Sequence, residues 1–408
     1  MKIEKVSPKQ KQILKFIKSD NLYLICDGAV RSGKTVFMSS AFVIWAMEYY
    51  DRTNFAICGK TVQSAERNVL KPLQENESLP YTMSYKVSTK VLTVRCGKKE
   101  NYFYIFGGKD ESSYMLIQGI TLAGVLFDEV ALMPRSFVEQ ALSRAISYEH
   151  PKYWFNCNPE SPNHYFYREW IENPKEGTTQ LHFLLEDNPI LTPQMIERTK
   201  AMYSGVFYDR YIRGLWVIAE GIIYPMFGKD SIVPTIERKY SRYVISMDYG
   251  IQNPTAMLLW GFCDGVWYQV DEYYHSGRET SQQKTDQDYY DDLEQLAGDR
   301  YIDCLIIDPS ATSFIALVKQ KRRFKVRKAQ NDVIDGIQKT ASAIQQGKIK
   351  VNDCCKRTIK EYGLYSWDQK ADEDRPIKDN DHAMDATRYF VNTMQIMKPK
   401  SVYNSLLY

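Results

Sequence analysis

The chain has 408 residues, 44% hydrophobic and 25% charged, with a formal net charge of +3 at pH 7. That length provides for two or three domains with a core in each, and the near-neutral balance excludes a surface that is basic throughout, so any nucleic-acid contact must be a local patch. Eight scattered cysteines, with one adjacent pair at Cys354–Cys355 and no C-x-x-C spacing, argue for a reducing compartment and against a zinc ribbon or disulfide scaffold.

Residues 1–18 are Lys-rich and amphipathic, without the apolar core of a signal peptide. A helical pattern follows Ser7-Pro-Lys-Gln10 through Ile13, Leu14, Phe16 and Ile17. An amide such as Gln10 or Gln12, being both donor and acceptor, can clamp an adenine edge; the alternative is a solvated Gln on an entry helix. Leu22 to Cys26 reads as a short buried strand and runs into Gly28-Ala-Val-Arg-Ser-Gly-Lys-Thr35. The spacing G-x-x-x-x-G-K-T is that of a phosphate-binding loop. Gly28 and Gly33 let the backbone curl so that successive N–H groups, Ser32 among them, face one anion. Lys34 is placed for the β/γ-phosphates of ATP and the Thr35 hydroxyl for Mg²⁺. The apolar stretch Val36 to Met47 is interrupted by Ser39-Ser40 and too short to cross a bilayer, so it is expected as the buried helix behind the loop.

Asn54 to Cys58 predicts a second strand and Thr61 to Leu73 a helix. Lys90 to Arg95 and Tyr102 to Phe106 predict a hairpin around Gly97-Lys-Lys. Leu122 to Asp128 is an apolar run that ends in two acids. Asp128, at a strand's carboxyl end, would hold Mg²⁺ through water, and Glu129 would polarise the attacking water as general base. Tyr153 to Asn158 is another such strand; Asn156 and Asn158 either sense the γ-phosphate or close the strand with an Asn-Pro turn. Strands alternating with helices in this order give a parallel sheet with ligand at the carboxyl ends. Leu185 to Trp216 reads as helical and polar, a lid subdomain with a connector to about residue 240.

A new unit opens at Arg242 to Asp248. Thr255 to Gly261 and Val266 to Glu272, separated by Asp264-Gly265, continue it as a meander. Tyr301 to Asp308 is again an apolar run ending in Asp, and Asp379 to Phe390 opens a terminal helix on which His382 and Asp385 share a face. Two strand-end acids, Asp248 and Asp308, joined by Asp385 on a helix, fit a two-metal phosphodiesterase on a ribonuclease-H-like sheet. Such a site takes two Mg²⁺ or Mn²⁺ ions ~3.5–4 Å apart. His382 is placed to ligate, to orient water or to cap the helix. Between the last two acids lies the densest basic run, Lys319 to Lys328. Its Arg322, Arg323, Lys325 and Lys328 are either contacts to DNA phosphate or a solvated charged edge.

In its order of elements the chain resembles the large subunit of tailed-phage terminases. The resemblance rests on Gly28–Thr35, Phe127-Asp-Glu129, Asn156-Cys-Asn-Pro159, Met247-Asp-Tyr-Gly250, Ile307-Asp-Pro-Ser310 and His382-Ala-Met-Asp-Ala-Thr-Arg-Tyr389. It implies an α/β chain in three parts: a P-loop ATPase domain over 1–184, a lid and connector over 185–240, and a ribonuclease-H-like nuclease over 241–408. It implies ATPase roles for Lys34, Thr35, Asp128 and Glu129, a γ-phosphate contact for Arg31, coupling at Asn156–Asn158, and nuclease metals on Asp248, Asp308 and Asp385 with His382 adjacent. Arg135 or Arg144 could act across a subunit boundary. Cys157 departs from the small hydroxyl residue or Tyr of many relatives.

The resemblance further implies a motor that steps double-stranded DNA into a procapsid and cuts concatemers, at a specific site or when the head is full. Its partners would be a small terminase subunit and a portal protein, with copies forming a ring at the portal vertex in the host bacterial cytoplasm and no membrane contact. Two other readings compete: a helicase-like or repair ATPase with an appended nuclease, and a non-enzymatic assembly factor that uses nucleotide as a switch. Glu129 speaks against the switch, which needs no positioned base.

Overall fold

The structure is a computed structural model that describes residues 5–250, 254–276, 284–369, 371 and 373–397. Two compact units divide the chain. The first comprises 1–200 and 208–218, the second 201–207 and 219–408. The stretch 185–240 is thus divided between them. The stretch expected to be helical over 185–216 carries the helices Pro193–Lys200 and Gly205–Tyr211, the second opening on Gly205 at φ +54°.

The first unit is built on eight strands: β1 (Tyr23–Gly28), β2 (Asn54–Gly59), β3 (Thr82–Lys86), β4 (Val91–Cys96), β5 (Lys99–Gly107), β6 (Gly124–Asp128), β7 (Lys152–Asn156) and β8 (Thr178–Phe183). Their order is β3-β4-β5-β2-β6-β7-β1-β8. Every pair from β5 to β8 is parallel, while β4 pairs antiparallel with β3 and with β5. The central strands are buried on both faces, which is why they read as unbroken apolar runs. β3 has no fully buried residue and gives no such signal.

Behind the loop, the helix Lys34–Tyr49 packs Phe42 and Trp45 against Phe55 and Trp154. Its two serines fit an apolar setting because both hydroxyls donate to Val36 O, at 3.1 and 2.8 Å. The expected helix over 61–73 is present but passes through a π-turn at Glu66–Leu70. Gly28 is needed as glycine: at φ +120°, a Cβ there would stand 2.1 Å from Phe183 O on β8.

The second unit carries β9 (Ile232–Val233), β10 (Arg242–Asp248), β11 (Thr255–Cys263), β12 (Val266–His275), β13 (Leu305–Ile307), β14 (Val326–Lys328) and β15 (Ile349–Asn352). Their order is β14-β13-β10-β11-β12-β15-β9. β10 to β12 form the expected antiparallel meander, turning at Asp264-Gly265 with φ +50° and +81°. Parallel strands flank it on both sides, giving the mixed sheet of a ribonuclease-H-like domain. The helix His382–Met394 lies against this sheet, with Phe390 stacked on Trp260 at 4.2 Å. That contact fixes the helix's register and so the place of Asp385. No helix among the described residues is long and apolar enough to cross a membrane.

Candidate functional site

In the first unit the phosphate loop leaves the carboxyl end of β1, with Arg31 at φ +55° and Gly33 at φ +84°. Lys34 is buried and donates to Gly28 O (3.0 Å), Ala29 O (2.6 Å), Ser32 Oγ (3.2 Å) and Asn158 Oδ1 (3.2 Å). Burial pulls its amine down to about 8, against the pull of Asp27 and Asp128. Thr35 Oγ1 donates to Asp128 Oδ1 at 3.2 Å, and Asn156 Nδ2 reaches both Thr35 Oγ1 (2.8 Å) and Asp128 Oδ1 (2.6 Å). The loop, the acid and both asparagines therefore form one network. Gln10 is buried beside it: its Oε1 accepts from Ser7 N at 2.9 Å, and its Nε2 faces Gly33, where a Cβ would stand 2.9 Å away. Gln12 is exposed.

Glu129 sits next to Asp128 in the left-handed region, at φ +61°. A non-glycine residue held there is strained and needs support, here a helical turn closed by Leu132 N donating to Glu129 O at 2.9 Å. Burial, then the Asp128 charge, push its carboxyl up to about 7, opposed by Arg67. Burial also raises Asp128, though Asn156, Thr35 and Asn68 favour its charged form. The π-turn accounts for two residues that sequence reading passed over: it delivers Asn68 Nδ2 to Asp128 Oδ2 at 3.5 Å and brings the Arg67 charge to Glu129. Asn188, also unforeseen, donates to Arg31 O at 2.7 Å. Cys157 is buried, and burial holds its thiol well above the ordinary range, so it is inert packing.

In the second unit, Met247 of β10 pairs with Ile307 of β13, so Asp248 and Asp308 follow at the carboxyl ends of adjacent parallel strands. Asp248 Oδ2 lies 2.8 Å from His382 Nδ1. Burial raises the Asp248 carboxyl. At His382 burial pulls the other way but is outweighed by the Asp248 bond, so the ring stands above its ordinary value. Asp308 accepts from Ser310 N (2.8 Å), Asn331 Nδ2 (2.9 Å) and the Tyr389 hydroxyl. Against burial, these bonds pull it below the usual carboxylate value. Asp385 is gripped by Arg388, whose Nη2 is 2.9 Å away, and by Lys378 at 3.5 Å.

Asp248 and Asp308 end adjacent strands, and the bond from Asp248 to His382 brings the first turn of the helix that bears Asp385 to the same tips. Among the described residues, no three His, Cys, Asp or Glu side chains stand close enough together to hold one metal ion. Two supporting residues were given no role by the sequence, although Arg388 lies within the quoted segment His382–Tyr389. Arg388 is 2% exposed and also donates to Asn331 O at 2.7 Å. Glu361, buried, accepts from Ala383 N at 2.7 Å and so caps the helix that bears His382 and Asp385.

The basic run ends the helix Thr312–Lys321 and forms the edge strand β14. Arg322, Arg323, Lys325 and Lys328 are exposed, and Lys328 pairs in register with Ile307, directly before Asp308. Arg323 is partly committed to Glu294 at 3.2 Å and to Gly298 O. Arg135 is held by Glu139 (2.8 Å) and Glu169 (3.0 Å); Arg144, half-buried, accepts on its carbonyl from Leu122 N at 2.9 Å.

A parallel sheet with a phosphate loop and an Asp-Glu pair at its strand tips, joined in one chain to a mixed sheet with acids at adjacent tips, defines a P-loop ATPase fused to a ribonuclease-H-like domain. The family described as terminase large subunit, T4likevirus-type, N-terminal, matches residues 25–228. The large terminase of a thermophilic bacteriophage superposes with a TM-score of 0.91 at 49% identity, covering 96% of this chain and 100% of that one. The same phage protein in complex with ATP-γ-S gives 0.89 at 48% identity, over 96% and 100% of the two chains, and in complex with ADP 0.89 at 48%, over 95% and 99%. Among curated proteins none matches. The chain belongs to the terminase large subunit family. It is an ATPase and nuclease subunit of phage DNA packaging, and the repair-ATPase reading is not favoured.

Proposed function

We propose that the first unit binds and hydrolyses ATP at Gly28–Thr35, Asp128 and Glu129, and that the second grips and cuts double-stranded DNA. The observation that carries the nucleotide half is the pair of bonded sets that consecutive loop residues hold, Lys34 with Asn158 and Thr35 with Asp128 and Asn156. The loop N–H groups of Ser32 and Gly33 cradle the phosphates, with Arg31 at the γ end and Gln10 as the glutamine near the adenine. Thr35 and Asp128 would hold Mg²⁺, which supplies charge neutralisation across the phosphates when bound. Glu129 takes the proton of the attacking water. Lys34, on turning to the phosphates, gives up Asn158, so the segment that follows β7 registers the nucleotide.

Lys34→Ala is expected to weaken ATP-γ-S binding by roughly ten- to a hundredfold, the value of one charge-assisted hydrogen bond. Calorimetry with Mg²⁺ present measures it, and an unchanged affinity would remove the loop from this reading.

In the second unit, Asp248, Asp308 and Asp385, with His382, would hold two Mg²⁺ or Mn²⁺ ions; carboxylate oxygens suit such hard cations. When bound, the ions supply an activated water and charge for the leaving oxygen. Arg388 and Lys378 orient Asp385, and Ser310 N and Asn331 orient Asp308. Arg322, Lys325 and Lys328 contact DNA phosphates beside Asp308. Neutralising these three is expected to lower the slope of log K against log salt by ~1 for each phosphate left without its cation. A slope equal to wild type would leave the run merely solvated. Arg135 or Arg144 serves a neighbouring copy in a ring, and the small terminase subunit and portal protein are partners in the host cytoplasm.

A further inference from the structure

We propose that the strap Tyr208–Ile218 reads the state of the phosphate loop, with Trp216 and Arg210 as positioning residues anchored on Asp27 and Glu160. The inference rests on the nucleotide reading above and adds the element that responds to it. The strap belongs to the first unit, yet the chain on either side of it, 201–207 and 219 onward, belongs to the second.

Three contacts tie this strap to the loop. Asp27, which immediately precedes Gly28, is 2% exposed. Its Oδ2 accepts from Trp216 Nε1 at 3.2 Å and lies 3.0 Å from His182 Nδ1, while its Oδ1 is buried with no hydrogen-bond partner among the described residues. Within the loop, Val30 N donates to Tyr211 O at 2.9 Å. Beyond the loop, Arg210 is wholly buried and pairs with Glu160 at 3.2 Å, two residues after the Asn158 that accepts from Lys34. Gly214, at φ +71°, lets the strap pass the His182 ring, where a Cβ would come within 2.8 Å.

Each anchor is sensitive to where the Lys34 charge sits. Asp27 and Lys34 interact electrostatically in a buried setting, where such terms are strong and an incompletely bonded carboxylate is costly. When Lys34 moves to a phosphate, Asp27 loses part of its compensation and Asn158 loses its donor. Both changes bear on the strap, one through Trp216 and the other through Glu160 and Arg210. A strap that served only to pack would hold the same bonds with and without nucleotide.

Hydrogen exchange of the full chain, with and without ATP-γ-S and Mg²⁺, tests this. In wild type, nucleotide is expected to slow exchange in the phosphate loop and to change it by roughly fivefold or more at the Ile212 and Leu215 amides. Trp216→Phe keeps an aromatic ring beside Tyr167 and removes the N–H donor together with the smaller ring of the indole. It is expected to keep ATP-γ-S affinity within about threefold yet lose most of the response in 208–218. Asp27→Asn, which removes the charge but keeps an acceptor, is the second variant and should also lose it. A strap unresponsive in wild type while the loop is protected, or a response in both variants equal to wild type, would overturn the proposal. A wild-type loop that nucleotide does not protect would instead sink the nucleotide reading.

Discussion

Glu129→Gln is expected to cut ATP turnover by roughly a hundred- to ten-thousandfold while leaving ATP-γ-S affinity within about threefold. The substitution keeps the shape of the side chain and removes only its ability to take a proton. Lys34 is held by the Gly28 and Ala29 carbonyls and Thr35 by Asp128, none of them through Glu129, so the phosphate grip should survive. What marks Glu129 is position. It is held at a strained φ of +61° directly after the strand-end Asp128, and burial with that neighbour lifts its carboxyl to about 7, close to what a base working near neutrality needs. Steady-state phosphate release against a parallel binding titration separates the two effects. Turnover equal to wild type would mean that another group accepts the proton and that Glu129 is only the start of a turn.

The strand tips were legible because burial writes itself into sequence. β1, β2, β6 and β7 are covered on both faces, so each had to be an apolar run, and the residue where the run stops is the residue at the ligand edge. That logic marks Asp128, Asn156, Asp248 and Asp308 in the sequence, while Gly28 is marked by the spacing of the phosphate loop. What it missed are residues whose partners lie far along the chain. Asn68 meets Asp128, Asn188 meets Arg31, Trp216 meets Asp27 and Glu361 meets Ala383.

None of these sits at a characteristic spacing, since a single side-chain bond between distant segments leaves no periodicity. The packing of 185–240 was not legible for a related reason. Polar helical stretches over 185–216 say that the segment is half-exposed, not which body it packs on, and the chain changes units within it after Lys200 and again after Phe207. The basic run shows the limit from the other side. Its composition signalled exposure correctly, but only register shows that Lys328 ends beside Asp308 while Arg323 turns back to Glu294.

For the second unit, Asp248→Ala and Asp385→Asn are each expected to lower Mn²⁺-dependent cleavage of plasmid DNA by roughly a thousandfold or more, with ATP turnover within about twofold of wild type. The two substitutions differ in what they leave behind, and that governs the choice of residue. Asp248→Ala frees His382 at the sheet edge, a partly exposed ring that water can satisfy. Asp385→Ala would strand the guanidinium of Arg388, which is 2% exposed, without its carboxylate; an unpaired buried cation costs on the order of a few kcal/mol. Asparagine retains an acceptor for Arg388 and removes the charge a metal requires, so loss of cutting by Asp385→Asn reports on the acid itself. Retained ATP turnover shows that the first unit is intact, and an unshifted unfolding midpoint shows the same for the second. If both variants still cut while folded, the carboxylates at the tips of β10 and of the terminal helix are framework, and the ions bind elsewhere. If Asp248→Ala alone is inactive, the Arg388 pair has made Asp385 a structural anchor, and Asp248 with Asp308 on the adjoining strand carries the metal site.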